Sequence, residues 1–300
     1  MTMPTSKMSP CSICDKPVEL RFFYCTRCRL LIGNRFDRLL IRPAFRAAYD
    51  KSCDRFRCFY SNIVLEEKDP LSPWYVSADH FQPGLKKLVI CAQLFNEMKR
   101  ALTGDEFVRV VPALDDHFQG IRPFTRNVIG FIAWNRAAIQ TLPRRLAPWE
   151  LPSRAVLGCP ACGRPPFPGS MYCATCRSFI FSRLKVAARA AALKRAWDEE
   201  RQAFLCYYTG LPLDVSDPRS PWYLVFDHLI PGQKGDIVAC AFWVNAMKTF
   251  LTEAQFRAVI HPLSEHIRHG TPFDKGVLDE RSYRLTARRV GGKRPLAHSL

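Results

Sequence analysis

Apolar and polar residues follow one another in short blocks along this chain, and the block most typical of a helix lies in the second half. Residues 179–201 are rich in Ala, Leu, Arg and Lys and contain neither Gly nor Pro, a composition that favours a helix. Two further helices are expected over residues 102–118 and 251–267. Each would begin at a threonine suited to cap its N-terminus, Thr103 or Thr252, with acidic residues in the first turn.

The remaining segments are less regular. In the first half, residues 35–50 occupy the position of the helix at 179–201, but they include Pro43, which disfavours a helix interior. Residues 126–141 predict another helix, and the proline-rich residues 142–153 predict a linker. The longest apolar stretches fall far below the roughly 20 residues that span a bilayer, so we expect no membrane segment.

The chain repeats itself, with its cysteine pairs and an Asp-His pair recurring 148 residues further on. The recurring residues are Cys11, Cys14, Cys25, Cys28, Asp79 and His80 in the first copy, and Cys159, Cys162, Cys173, Cys176, Asp227 and His228 in the second. Aligning residues 58–99 with 206–248, with one extra residue in the second segment, gives 20 identities in 42 positions. We therefore expect an α+β protein of two tandem repeats.

Composition and order of motifs divide the chain into seven parts. These are a disordered N-terminus (1–10), a four-cysteine ribbon (11–28), a module that starts with a helix (29–125), a helix and linker (126–158), a second ribbon (159–176), a second module (177–274) and a basic tail (275–300). A chain of 300 residues is long enough for two such globular halves.

The formal net charge of +17 is shared by both copies. The last twenty residues contain six Lys and Arg, among them Arg288 and Arg289, and no acid. A basic surface releases condensed counterions when it neutralises phosphates, so a nucleic acid is the expected partner, with Arg288 and Arg289 as candidate contacts. A soluble basic protein with a solvated tail is the alternative that charge alone leaves open.

Eight of the thirteen cysteines lie in CxxC pairs, with ten residues between the two pairs of each copy. Four thiolates on two such turns form a tetrahedral, closed ligand set, which predicts two structural Zn²⁺ sites. Disulfides or free buried thiols are the alternative. No secretory apolar segment precedes the cysteines, so we expect a reducing intracellular setting, cytoplasmic or nucleoid-associated.

In both copies Asp-His is followed 16 or 17 residues later by Asn-x-Met-Lys. Hydrolysis of a phosphodiester needs a base for water and a cation to neutralise charge on the phosphate. Histidine can act as the base, and carboxylate and amide oxygens can hold a divalent cation. A lone Asp-His is commonly a surface pair, or its histidine lies in the core with its hydrogen bonds made. The recurrence of the pair together with the asparagine favours a catalytic role.

This constellation resembles the HNH, or ββα-metal, endonuclease superfamily over about forty-five residues of each repeat. The matching residues are Asp79, His80, Pro83, Gly84, Asn96 and Lys99, then Asp227, His228, Pro231, Gly232, Asn245 and Lys248. The resemblance implies a strand ending in Asp-His, a loop, a second strand and a helix that carries the asparagine.

The resemblance also implies roles for these residues. His80 and His228 would be general bases. Asp79 with Asn96, and Asp227 with Asn245, would each ligate one Mg²⁺ or Mn²⁺, and Lys99 and Lys248 would lie near phosphate.

Two features depart from the family pattern. Relatives often hold the motif with a second zinc on two CxxC pairs, but each copy keeps only two of those cysteines. They are Cys58 and Cys91 in the first copy and Cys206 and Cys240 in the second, which we interpret as buried structural residues. The middle residue of the family signature, often Asn, is Lys87 in one copy and Asp236 in the other.

We therefore expect a metal-dependent DNA endonuclease with two centres in one polypeptide. It would act as a monomeric pseudo-dimer on double-stranded or branched DNA. A catalytically inactive zinc-ribbon protein that binds nucleic acid, as an adaptor or regulator, is the alternative. RNA is a third possible substrate, because charge and metal chemistry do not distinguish ribose from deoxyribose.

Overall fold

The computed structural model describes residues 8–19, 22–32, 38–83, 85–100, 102–129, 158–167, 170–180, 186–233 and 235–284. Residues 1–7 of the N-terminus, Gly84, residues 130–157 of the helix and linker expected over 126–158, and residues 285–300 of the expected basic tail, with Arg288 and Arg289, lie outside these residues. The described part is a mixed α+β protein with small two-stranded antiparallel sheets. None of the described helices is long and apolar enough to cross a membrane.

The described residues of the first half form ten helices and strands. They are β1 (Met8–Pro10), β2 (Pro17–Glu19), α1 (Thr26–Ile32), α2 (Arg38–Ala48), β3 (Tyr49–Asp50), β4 (Arg55–Phe56), β5 (Val76–His80), β6 (Leu88–Ala92), α3 (Gln93–Lys99) and α4 (Gly104–Phe118). A short 3-10 helix, Arg126–Val128, follows.

In the part of the second half that the structure describes, there are eight helices and strands. They are α5 (Ala174–Ile180), α6 (Val186–Ala196), β7 (Trp197–Asp198), β8 (Ala203–Phe204), β9 (Leu224–His228), β10 (Ile237–Ala241), α7 (Phe242–Lys248) and α8 (Glu253–His269). Another 3-10 helix, Lys275–Val277, follows.

The chain forms two compact units, of which one is a contiguous stretch of sequence and the other combines two separated segments. Unit 1 contains residues 1–108 and 261–300, and unit 2 contains residues 109–260. The division therefore falls inside α4 and α8, whereas the sequence suggested boundaries around residues 126–158.

In unit 1, β5 and β6 pair antiparallel, with Asp79 opposite Val89 and His80 opposite Leu88. Strand β6 is buried along its whole length because α2 packs against it, and the chain passes from β6 directly into α3. Asp79 and His80 therefore stand at the loop end of the hairpin formed by β5 and β6.

Unit 2 contains a hairpin of the same register, with Asp227 opposite Val238 and His228 opposite Ile237. Strand β10 is buried along its whole length, α6 packs against it, and α7 follows it without a break. Residues 197–201, expected as the end of the preceding helix, instead start with strand β7, because Trp197–Asp198 pairs with Ala203–Phe204.

The predicted caps of the two closing helices are confirmed. The Glu106 amide donates to Thr103 Oγ1 at 3.1 Å, and the Glu106 carboxylate accepts from the Thr103 amide at 2.8 Å. Thr252 and Gln255 exchange the same two hydrogen bonds at 3.0 and 3.2 Å. Both helices thus begin with a capping box, which satisfies backbone donors that the first turn would otherwise leave unpaired.

Candidate functional site

Both four-cysteine sets converge as the sequence predicted. Within each set, the four Sγ atoms lie within 4.8 Å of one another, and none of the cysteines is in a disulfide. The closest pairs are Cys14 with Cys25 at 3.6 Å and Cys162 with Cys176 at 3.5 Å. A tetrahedron with Zn–S bonds of about 2.3 Å places its sulfurs at similar separations, so the two clusters are consistent with two structural Zn²⁺ sites.

The protonation of the clustered thiols depends on their burial and on one another. Burial raises the pKa of the Cys28 and Cys176 thiols, and the neighbouring cysteines raise it further. A Zn²⁺ ion would reverse this shift, since its charge stabilises four thiolates that otherwise repel one another. At each site, four cysteine ligands would fill the four coordination positions of the metal and leave none open, which is typical of structural rather than catalytic zinc.

The Asp79 side chain lies in the interior of unit 1, where it is only 5% exposed. Its Oδ2 accepts a hydrogen bond from the Tyr60 hydroxyl at 2.7 Å, and its Oδ1 lies 3.2 Å from Lys99 Nζ. Burial raises the pKa of Asp79, and the charge of Lys99 opposes that shift. The carboxylate is therefore held by a phenol and an ammonium group together.

Unit 2 contains the same buried arrangement around Asp227. The Tyr208 hydroxyl donates to Oδ2 at 2.5 Å, and Lys248 Nζ lies 3.1 Å from Oδ2 and 3.2 Å from Oδ1. Lys248 also donates to the His228 carbonyl at 2.8 Å. Because residues 148 or 149 positions apart make these contacts in both units, the triad of Tyr, Asp and Lys is a shared feature of the two modules.

The burial of the two lysines corrects an expectation from the sequence. Lys99 and Lys248 are 1% and 0% exposed, and Lys99 Nζ also donates a hydrogen bond to the Leu102 carbonyl at 2.7 Å. An ammonium group that is buried and paired with a carboxylate cannot also contact the phosphate of a macromolecule. These lysines act as internal counter-ions.

His80 is presented to solvent in unit 1, at the last position of β5. Its Nδ1 lies 3.1 Å from the Leu85 carbonyl. Since a carbonyl can only accept, Nδ1 carries the proton, and Nε2 of the neutral ring is left with a lone pair. His228 holds the corresponding position in β9 and is partly exposed.

Asn96 lies against the strand that carries Asp79. Its Nδ2 donates to Ser77 Oγ at 2.9 Å and to the Ala78 carbonyl at 3.3 Å, both in β5. Asn245 holds the same position in α7 as Asn96 does in α3. The structure thus brings the Asn96 amide to the strand beside Asp79.

The donor chemistry of Asp79 and Asn96 suits Mg²⁺ or Mn²⁺, but their arrangement does not. The carboxylate of Asp79 is nearly inaccessible and already accepts from Tyr60 and Lys99. A divalent cation on this carboxylate would stand next to the lysine ammonium, and the two would repel each other strongly at low dielectric. As placed, these residues do not fit the cation site that the resemblance implies, and the same holds for Asp227.

The cysteines of the modules are buried and free, which confirms their interpretation as structural. Cys58 and Cys91 are 3% and 0% exposed, and Cys206 and Cys240 are 2% and 0% exposed. The Cys58 sulfur accepts from the Ala92 amide at 3.4 Å and so links the start of the module to the end of β6.

The tyrosines of the triads were missed as functional residues by sequence reasoning. Tyr60 and Tyr208 recur in register, but recurrence alone did not indicate which group they contact. Burial and the neighbouring aspartate raise the pKa of both phenols, so they remain donors.

Four arginines next to the ribbon cysteines have two different environments. Arg27 donates to Asp54 and Glu67, and Arg164 donates to the Gln202 carbonyl and lies over the Trp197 ring, 4.8 Å from its centroid. These two attach each ribbon to the strands that follow it. The other two lie over aromatic side chains that are themselves partly exposed: Arg29 over Phe22 at 5.5 Å, and Arg177 over Phe167 at 4.8 Å.

Comparison of the chain with protein-family models, curated proteins and solved structures found no match. The functional argument therefore rests on the chain's own residues.

Proposed function

We propose that the protein is a DNA endonuclease with two HNH-like centres, one on each module. The observation that carries this proposal is the position of Asp-His in both units. The pair ends the first strand of a hairpin whose second strand leads directly into the helix with the asparagine. This order of strand, strand and helix is what the resemblance to ββα-metal endonucleases implies.

In the proposed reaction, His80 or His228 acts as the general base. Water attacks a backbone phosphorus atom, its proton passes to Nε2 of the imidazole, the P–O bond to the leaving sugar oxygen breaks, and that oxygen takes a proton from solvent. The hydrogen bond from Nδ1 of His80 to the Leu85 carbonyl supports this role, because it orients the ring and makes Nε2 the nitrogen with the lone pair in the neutral tautomer. The divalent cation that the resemblance implies does not fit Asp79 and Asn96 as they are placed, so no step of this reaction is assigned to it.

The basic character of the chain supports a nucleic acid as substrate. The net charge of +17 favours association with a polyanion, and Arg29 and Arg177 offer guanidinium groups next to partly exposed aromatic rings. Such pairs suit contacts to phosphates and stacking against bases. Two centres in one chain would let a monomer cut both strands of a duplex or a branched junction.

A specific observation favours a second function, nucleic-acid binding without catalysis. The lysine of each triad already neutralises the aspartate that a catalytic cation would need. In that case the protein would be an adaptor or regulator, and its ribbons and modules would form the scaffold that binds nucleic acid.

Plasmid cleavage separates the two functions. We expect the zinc-loaded protein to convert supercoiled plasmid into nicked and linear forms when Mg²⁺ or Mn²⁺ is added. His80→Ala and His228→Ala should each retain part of the activity, and the double variant none. An RNA duplex and a four-way junction serve as parallel substrates.

The matched control for the histidine variants is His269→Ala, which removes an exposed histidine at the end of α8. It should cut at the wild-type rate, and zinc content should be equal in all variants. Tight plasmid binding without cleavage under every metal would instead establish the binding protein, and equal cleavage by the double histidine variant would rule out the proposed bases.

A further inference from the structure

Each half of the chain carries a short segment that follows its closing helix and contains a Pro-Phe pair. Pro123-Phe124 follows α4, and Pro272-Phe273 follows α8, at an offset of 149 residues. In both segments a basic residue comes two positions after the phenylalanine and starts a 3-10 helix, Arg126–Val128 or Lys275–Val277. We call these the closing segments, residues 122–128 and 271–277.

The closing segment of the second half packs into unit 1. The Phe273 ring is 7% exposed and lies 5.7 Å from the ring of Trp74 and 5.5 Å from that of Phe95. Lys275 Nζ donates to the Val64 carbonyl. An aromatic side chain and a hydrogen bond, both from the second repeat, thus complete the packing of the first module.

The residues just after this closing segment add polar contacts in unit 1. The Tyr283 hydroxyl donates to Glu97 Oε2 at 3.0 Å, and Arg284 pairs with Asp69 at 2.6 Å. Glu97 lies in α3, the helix that carries Asn96. The C-terminal part of the chain therefore touches the helix of the first candidate centre.

The closing segment of the first half packs into unit 2 in the corresponding way. The Phe124 ring is 2% exposed, stacks on Trp243 at 5.5 Å and lies 6.3 Å from Trp222. Arg126 donates to the Pro212 carbonyl and lies over the Trp222 ring at 5.0 Å. Pro212 and Val64 are equivalent positions, so both basic residues donate to the same backbone site of the opposite repeat.

We propose that the two repeats exchange their closing segments, so that the protein is a single-chain form of an intertwined dimer. Each half of the chain then supplies part of the other half's core, and the surface around Trp74 or Trp222 is a docking site for the Pro-Phe segment of a second copy of the repeat. This proposal concerns assembly and holds whether or not the protein cuts nucleic acid.

Cutting the folded chain between the halves tests the proposal. A protease site inserted between Pro148 and Trp149 lies outside the described residues, and it would be cleaved after purification of the full-length, zinc-loaded protein. We expect the two fragments to co-elute in gel filtration at the mass of the intact chain and to separate only in denaturant. If the fragments elute as two independent folded species in native buffer, closing segments are not exchanged.

Variants locate the association in the closing segments. In the cleavable protein, Phe124→Ala/Phe273→Ala should lower the urea concentration at which the fragments separate. Ile121→Ala is the matched control, because it removes a 68% exposed side chain immediately before the first closing segment and should leave that concentration unchanged. If the phenylalanine variants also separate at the wild-type urea concentration, the Pro-Phe segments do not hold the halves together.

Discussion

Residue by residue, the most consequential groups are the buried lysines of the two triads. Lys99 is 1% exposed, and its long side chain reaches from α3 to Asp79 and the Leu102 carbonyl. A helical lysine is most often solvated, and the resemblance to HNH endonucleases implied a position near phosphate. Only the packing of α3 against the strand reveals that the ammonium group faces the carboxylate.

We predict that Lys99→Met destabilises the protein by about 3–5 kcal/mol, because it leaves the buried Asp79 carboxylate without its counter-ion. The double variant Asp79→Asn/Lys99→Met should recover much of that loss, since two neutral groups of similar shape need no pairing. Urea unfolding of the wild type, Lys99→Met, Asp79→Asn and the double variant gives the coupling energy. Lys68→Met, at an exposed position, is the control. Equal losses for Lys68→Met and Lys99→Met would contradict the counter-ion role.

Glu97 gives a pH-dependent prediction at the same scale. Burial raises its pKa, although Gln93 and Tyr283 hydrogen bond to the carboxylate. A carboxyl group whose pKa is higher in the folded than in the unfolded state contributes stability below its unfolded pKa of about 4.3, and loses that contribution as pH rises through the folded pKa.

Glu97→Gln cannot ionise, so its stability relative to the wild type should increase between pH 4.5 and pH 8. Urea unfolding across this range measures the difference, with exposed Glu199→Gln as the control. Parallel pH curves for Glu97→Gln and the wild type would show that Glu97 ionises as easily in the folded as in the unfolded chain.

At the scale of the elements, two arginines close together in a ribbon have different environments. Arg27 and Arg29 are two positions apart at the start of α1, but Arg27 turns to Asp54 and Glu67, whereas Arg29 is exposed over Phe22. The spacing of the cysteines predicted the cluster, because each CxxC turn fixes two sulfurs locally. Which arginine remains accessible depends on residues far along the chain.

We predict that Arg29→Ala/Arg177→Ala weakens DNA binding at every sequence and lowers the slope of log affinity against log salt by about 2, since each phosphate contact contributes about 1. Thermal stability should stay near that of the wild type. Arg27→Ala should do the reverse, lowering stability because Glu67, whose side chain is 7% exposed, loses its partner. An unchanged salt slope in the double variant would place the nucleic-acid contact elsewhere.

At the scale of the whole molecule, the exchange of closing segments means that a substitution in one half of the chain should destabilise the core of the other half. Phe124 belongs to the first half by sequence, but its ring packs on Trp243 in α7 of unit 2. Local unfolding should therefore follow the compact units rather than the repeats.

Phe124→Ala should cost about 3–5 kcal/mol. The loss of hydrogen-exchange protection should appear in α7, residues 242–248, and leave α3, residues 93–99, protected. Phe273→Ala should produce the opposite pattern, because its ring lies against Trp74 and Phe95 in unit 1. If each variant exposed the helix of its own repeat, the assignment of residues to units would be contradicted.

The sequence by itself determined the features that depend on local spacing and composition. The two four-cysteine clusters, the capping boxes at Thr103 and Thr252, and the absence of a helix fit to span a membrane among the described residues all follow from neighbouring residues. Such features need no knowledge of how distant segments meet.

The tertiary structure decided what depends on contacts between distant segments. The tyrosine and lysine of each triad reach the aspartate from 19 to 21 residues away along the chain. The contacts of the closing segments are more distant still: Phe273 and Trp74 are about 200 residues apart in sequence, and Phe124 and Trp222 about 100. A pattern of apolar residues shows that a side chain will be buried, but not which surface will cover it, because burial is non-directional and many partners satisfy it equally.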